Sequence, residues 1–189
     1  GVSVIELADG RPAAELKLSG VDVPGSHRIA GPGAAEAALL RAYDEALIAT
    51  AAELLGVLSR AFEITLDYLR TRVQFGKLIG TFQALQHRAV DLYIEQRMCR
   101  HALDDVIAGA SAPDLSANAR GALASRIKAR CSEASLHITR EAIQMHGATG
   151  ISQWTPLAEM YTDVRHLRFA DGPDEVHWMV VGRHELSMP

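Results

Sequence analysis

The spacing of apolar residues changes near Gly33, and that change divides the chain. In the first 27 residues, Val2-Ser3-Val4-Ile5-Glu6-Leu7 and Ala13-Ala14-Glu15-Leu16-Lys17-Leu18 alternate with the period of strands. Asp9-Gly10-Arg11-Pro12 between them is turn chemistry, and Ser19-Gly20 followed by Pro24-Gly25 closes the segment. Two strands alone cannot bury a face, so this hairpin calls for a sheet supplied from elsewhere. From Gly33 onward the apolar residues recur every three or four positions. Leu39, Leu40, Leu47, Leu54, Phe62 and Leu69 belong to one such series, which predicts a helix over about residues 34–71. A second helix is expected over about 82–110, with Leu85, Ala89, Leu92, Tyr93 and Met98 facing inward, and a third over about 115–146, stopped by Gly147. Shorter helices are expected over about 156–168 and 174–186. The last of these has Pro173 near its first turn and Asp174 and Glu175 at its positive end. The expected fold is mainly α: an antiparallel up-down helical bundle preceded by a short β-hairpin.

Composition narrows the function classes. The 189 residues carry a net charge of -4 and are 48% apolar, as an ordinary globular domain is. Basic residues are interspersed with acids, so no nucleic-acid or anionic-membrane surface is expected. No uncharged apolar run approaches the length of a membrane span, and the N-terminus lacks a basic stretch followed by an apolar core. Cys99 and Cys131 both lie inside helical patterns, which suits reduced, packed thiols in a cytoplasmic protein.

Three segments carry more chemistry than a bundle needs. The connection Arg72-Val73-Gln74-Phe75-Gly76-Lys77, continuing through Ile79-Gly80-Thr81-Phe82-Gln83-Ala84-Leu85-Gln86, crowds a guanidinium, aromatic rings and amides into one short turn. A planar cation suits phosphate oxygens, an aromatic face suits a ring, and an amide both donates and accepts. That combination fits a ligand with a heterocycle and a pyrophosphate, against the alternative of a plain surface turn. In Gln144-Met145-His146-Gly147-Ala148-Thr149-Gly150, one glycine is explained by helix termination. The rest leaves backbone with little side-chain bulk, where a ligand can approach. In Phe169-Ala170-Asp171-Gly172-Pro173-Asp174-Glu175-Val176-His177, a carboxylate stands at a helix entrance, where a cap is the ordinary reading.

Taken in order, these segments resemble the C-terminal helical domain of the acyl-CoA dehydrogenase family. The first is similar to the family's R-x-x-F-G-K-x-I-G-x-F-Q-x-x-Q-H phrase and the second to Q-x-x-G-G-x-G, with Ala148 at the second glycine. The resemblance implies FAD as cofactor, its adenosine and pyrophosphate held by Arg72, Phe75, Gln83, Gln144, Gly147 and Ala148 from a neighbouring subunit. The third segment resembles the loop that usually reads Y-E-G-T-x-Q-I, in a branch where Asp replaces the Glu base. It implies Asp171 as the group that removes the α-proton of an acyl-CoA, with the helix-cap reading still open. Pro173 and Glu175 replace residues that usually help hold the flavin. Tyr43-Asp44-Glu45-Ala46-Leu47 is similar to an L-D-x-x-R phrase, so Asp44 either lines the substrate or is a solvated carboxylate, and Leu47 stands where Arg is expected. The hairpin resembles the tail of the family's middle β-domain, giving expected domains at 1–27 and 28–189 and an N-terminal half of similar size absent from the chain.

What the resemblance implies about function is α,β-desaturation of an acyl-CoA in lipid metabolism, with electrons passed to an electron-transfer flavoprotein. The expected assembly is a homo-oligomer, dimer or tetramer, or a pairing with a heteromeric dehydrogenase partner. Two rivals stay open: a nitroalkane-oxidase-like flavoenzyme, and a non-catalytic helical subunit that supports oligomerisation. A di-iron bundle centre is not expected, because no Glu is followed by His three residues later.

Overall fold

The computed structural model describes residues 1–8, 10–31 and 33–187. Strands β1 (Val2–Glu6) and β2 (Pro12–Leu16) pair antiparallel, with Val2 opposite Leu16 and Val4 opposite Ala14. Gly10 takes the positive φ of the turn; Asp9, also placed in that turn, lies outside the described residues. Both faces of the hairpin are in solvent, Val2, Val4, Ile5 and Leu16 included. Arg11 reaches Asp163 of the bundle at 3.4 Å.

Five α-helices follow: α1 (Ala34–Thr71), α2 (Gln83–Ala110), α3 (Ala117–His146), α4 (Leu157–Phe169) and α5 (Asp174–Leu186). They match the expected helices to within two residues at each end. The start of α3 moves from 115 to 117 because Ser116 is its N-cap, its hydroxyl accepting from the Ala119 amide at 3.2 Å. Helix α3 is the hub, packed against each of the other four. Its buried positions are mostly small, including Ala122, Ala124, Ala129, Ala134 and Ala142, so neighbouring helices approach closely on several sides. The core fills the seams around it with Leu54, Leu58, Leu92, Leu103, Ile127 and Ile138.

Two expectations about facing are overturned. Tyr93 and Met98 of α2 are about half exposed, and Leu39 and Leu40 near the start of α1 are more so. Helix α2 lies at the edge of the bundle and buries only the narrow stripe Leu92, Cys99, Leu103 and Val106. Val90, Tyr93, Ile94 and Met98 form a second apolar stripe on its outer side. Cys99 and Cys131 are free and buried. Among the described residues, no helix is long and apolar enough to cross a membrane.

Candidate functional site

The connection after α1 folds back at once. Val73 pairs with Leu78 and Gln74 with Lys77, forming the strands β3 (Val73–Gln74) and β4 (Lys77–Leu78). Phe75 and Gly76 are the two loop residues, with φ of 53° and 75°. A two-residue hairpin favours positive φ at both positions, but a β-carbon there costs on the order of 1–3 kcal/mol. Phe75 accepts that strain and still keeps its ring 90% exposed, edge-on to Phe82 at 6.1 Å. A single 3₁₀ turn, Ile79–Thr81, then leads into α2. Gly80 is required in it, because a β-carbon would lie 2.6 Å from the Leu69 carbonyl oxygen. Gln86 is a fastener, its amide donating to the Gly80 carbonyl at 2.9 Å. The Lys77 ammonium lies over the Phe82 ring. The result is a braced turn that presents Arg72, Phe75 and Gln83 to solvent.

The C-terminus of α3 arrives at the same end of the bundle. One turn before Arg72, Tyr68 stacks on His146 with ring centroids 4.1 Å apart and donates to its carbonyl at 3.4 Å. Gln144, Gly147 and Ala148 are exposed beside it. Gly147 has φ of 60° and open space where a β-carbon would stand. Gly150 differs from the expected open backbone: its β-carbon position is 2.6 Å from the Ile143 carbonyl oxygen, so it closes packing against α3. His146 is buried, its Nδ1 on the Ala142 carbonyl at 2.7 Å, which leaves it a structural helix-end residue.

Asp171 and Asp44 lie elsewhere. Asp171 has φ of 57° and is exposed between α4 and α5. Its Oδ2 accepts from Thr50 Oγ1 at 3.1 Å, and its backbone carbonyl accepts from the Tyr43 hydroxyl. Thr50 and Arg72 are both tied to α1, 22 residues apart by subtraction of their numbers, so these two regions are separated by about 33 Å along the helix axis at 1.5 Å per residue. The predicted residues therefore form two clusters at different levels of one long helix.

Beneath Asp171 lies a buried polar network. Lys128 of α3 is fully buried, and its ammonium donates to the carbonyls of Arg168 and Gly172, both at 2.7 Å. His177 of α5 approaches the same Gly172 carbonyl through Nε2 at 3.1 Å and Ser125 through Nδ1 at 3.3 Å. Asp174, in the first turn of α5, takes Arg168 at 3.0 Å and Ser132 at 3.1 Å, with the Lys128 ammonium 4.0 Å from its other oxygen. Gly172 has φ of 108°, and a β-carbon there would come within 3.4 Å of the His177 ring. Burial pushes the Lys128 ammonium below its ordinary pKa, resisted by Asp174 and then Asp171. Burial also raises the Asp174 carboxyl, resisted by Ser132, Arg168 and Lys128.

A cleft of about 720 Å³ opens between α1, α3 and α5, and Tyr43 connects it to this loop through its bond to the Asp171 carbonyl. Tyr43, Asp44 and Ser125 line it, with Arg41, Arg120 and Arg183. Asp44 is only 8% exposed, so it is not the solvated carboxylate of the alternative reading. Its pKa is raised by burial, against the pull of Arg120. Leu47, where the resemblance expects Arg, is in the core. Sequence reasoning missed Tyr43, Thr50, Lys128 and Ser132. A signal did exist for the α3 members: Ser125, Lys128, Ser132, Ser135 and Thr139 recur at helical spacing, marking a buried polar stripe. Among the described residues, no group of His, Cys, Asp and Glu could hold a metal ion.

The chain is similar to known proteins over most of its length. A sequence profile of the acyl-CoA dehydrogenase C-terminal domain matches residues 37–186. A 3-sulfinopropanoyl-CoA desulfinase of Paraburkholderia xenovorans is 30% identical over 88% of this chain and 42% of its own. The acyl-CoA dehydrogenase IpdE2 of Mycolicibacterium smegmatis is 37% identical over 65% of this chain and 36% of its own. The chain thus spans less than half the length of these curated relatives. A subunit in the crystal structure of the ChsE4-ChsE5 complex from Mycobacterium tuberculosis superposes with a TM-score of 0.84 and 27% identity, covering 100% of this chain and 50% of that one.

Two buried imidazoles make stability depend on pH. Burial lowers the pKa of His177, assisted by the Lys128 charge, and burial lowers that of His146. On unfolding, each ring regains the ordinary value of about 6.5 and binds protons that the folded protein refuses. The imidazoles' contribution is therefore complete above about pH 6.5 and is lost as pH drops below it, opposed at lower pH by the raised carboxyls of Asp44 and Asp174. Thermal melts of wild type and His177→Gln between pH 8 and pH 5 should diverge, with the smaller loss toward pH 5 in the variant. Parallel melting curves across that range would contradict the assignment.

Proposed function

The chain belongs to the acyl-CoA dehydrogenase family, matching its C-terminal domain over residues 37–186, and from that premise we propose that it serves FAD-dependent α,β-desaturation of an acyl-CoA thioester. The observation that carries this reading is the Asp171 loop. An exposed carboxylate is held in a strained backbone conformation, and its backbone carbonyl is tied to Tyr43, which lines a cleft of about 720 Å³; such strain persists where surrounding contacts enforce it. The names of the relatives share a CoA thioester, which supports that class of substrate.

The residues at the other end fit FAD in kind. Arg72 offers a planar cation for a pyrophosphate, Phe75 an exposed ring, Gln83 and Gln144 amides, and Gly147 with Ala148 an open stretch of backbone. FAD, when bound, supplies a hydride acceptor and polarises the thioester carbonyl. Asp171 then takes the α-proton onto its carboxylate. Thr50, donating to Oδ2, orients that carboxylate so that the other oxygen faces the proton. Asp44 and Tyr43 line the substrate's approach. Electrons pass to an electron-transfer flavoprotein.

The separation of about 33 Å along α1 argues that Asp171 and the Arg72 cluster of one chain serve two different flavins. A dimer or tetramer satisfies this, as does pairing with a different dehydrogenase chain, and the outer stripe Val90, Tyr93, Ile94 and Met98 of α2 is the apolar surface that assembly would cover. Residues 1–27 read as the tail of a β-domain and 28–189 as the helical domain, since the hairpin leaves both faces uncovered. Buried, unpaired Cys99 and Cys131 suit a cytoplasmic protein.

Three measurements on the full-length, flavin-replete protein test this reading. Asp171→Asn keeps shape and removes proton affinity, so flavin reduction by acyl-CoA should slow by ~10²–10⁴-fold with FAD content unchanged. Reduction at the wild-type rate would leave Asp171 a loop carboxylate held by Thr50. Arg72→Ala should weaken FAD retention without unfolding the bundle, because an exposed turn residue contributes little to the core. Flavin content equal to wild type would sink the cradle. By sedimentation at micromolar concentration the protein should run as a dimer or larger, and a monomer would remove the cross-subunit site.

A further inference from the structure

We propose that Lys128 and Tyr43 are positioning residues that hold the backbone around Asp171 in its left-handed conformation, a role that rests on reading Asp171 as the catalytic base. The loop between α4 and α5 is only a few residues long, and two of its carbonyls, with one more at the end of α4, are anchored by side chains from outside it. Lys128 donates to the carbonyl of Arg168 before Asp171 and to that of Gly172 after it, both at 2.7 Å. Tyr43, reaching across from α1, donates to the carbonyl of Asp171 itself. His177 adds a contact to Gly172 at 3.1 Å.

The chemistry of lysine suits this task. Its ammonium is a compact cation with three donors. The Arg168 carbonyl is one of those left without an intrahelical partner at the end of α4, where a positive charge is favourable. The Gly172 carbonyl comes two residues before Asp174, whose carboxylate balances the buried charge at 4.0 Å. Without these donors the loop has little reason to keep Asp171 at φ of 57°, a conformation that a residue with a β-carbon leaves readily. A relaxed loop would keep the carboxylate but move it relative to the cleft. Lys128 itself is fully buried and touches neither cleft nor solvent, so its influence passes through the backbone.

The test uses the full-length, flavin-replete protein. Lys128→Met alone leaves the buried Asp174 with Arg168 and Ser132 but removes one of its two cations, so it is paired with Asp174→Asn. Tyr43→Phe is made separately because it removes only a hydroxyl from a half-exposed ring. The limiting rate of flavin reduction at saturating acyl-CoA should fall by roughly 10- to 100-fold in the double variant, the effect of a displacement near 1 Å, and in the same direction but less in Tyr43→Phe. Acyl-CoA affinity should stay near wild type in the double variant, whose two residues do not line the cleft. Hydrogen–deuterium exchange in the 167–173 peptide should accelerate in both variants, a readout independent of turnover. Should the double variant not fold, Tyr43→Phe decides by the same two measurements. Wild-type reduction rates, unchanged exchange, or a loss confined to acyl-CoA affinity would overturn the proposal. Asp171→Asn run alongside separates the failures. If that variant is slow while the Lys128 and Tyr43 variants are not, positioning is wrong and the base stands. If Asp171→Asn is fast, both fall together.

Discussion

An ammonium group with no access to solvent sits between three helices of this protein, and their mutual placement depends on it. A buried charge is strongly unfavourable unless its donors are matched. Lys128 meets two carbonyls at 2.7 Å and a carboxylate at 4.0 Å. Because it projects from α3, the helix that packs on all the others, those contacts fix the end of α4 and the start of α5 to the hub. Arg168 and Asp174 complete the arrangement, so no charge in it stands alone. The loop carrying Asp171 is therefore part of the framework and not an appendage.

The second constraint is length. Helix α1 runs for 38 residues, about 57 Å at 1.5 Å per residue. Tyr43, Asp44 and Thr50 in its first half face the loop or the cleft, whereas Arg72 just past its C-terminus opens the strained hairpin. A straight helix of this length cannot bring its ends together, so the two kinds of chemistry are displayed apart. The outer side of α2 adds a half-exposed apolar stripe to the surface the chain displays.

Strain appears at both ends in similar form. Phe75 and Asp171 are the described non-glycine residues with positive φ, each followed by a glycine of positive φ. Each is braced by contacts that leave the side chain itself facing outward: Phe82 and Lys77 near the first, Lys128 and Tyr43 around the second. Strained backbone beneath an exposed side chain is a pattern of functional sites more than of packing.

The sequence by itself determined the helices and the segments where chemistry gathers. Local rules suffice for those. Periodicity marked α1 and α5 at their observed ends, and glycines and prolines punctuated the connections. The Arg72 turn stood out as unusual residues in a short connection, whereas Asp171 was singled out only by the resemblance of its loop to the family's base-bearing loop. Which face of each helix turns inward was decided by the tertiary structure. Tyr93 and Met98 satisfy helical periodicity as well as Leu92 does, and only the edge position of α2 leaves them in solvent. The partners of Asp171 were equally invisible: Tyr43 and Thr50 lie 128 and 121 residues away in sequence. A buried lysine reads as an ordinary polar residue until its surroundings are known, since burial and pairing are properties of packed neighbours and not of the residue. Periodicity is a property of consecutive residues and survives in the sequence. Contacts between distant helices exist only once the bundle has closed around α3.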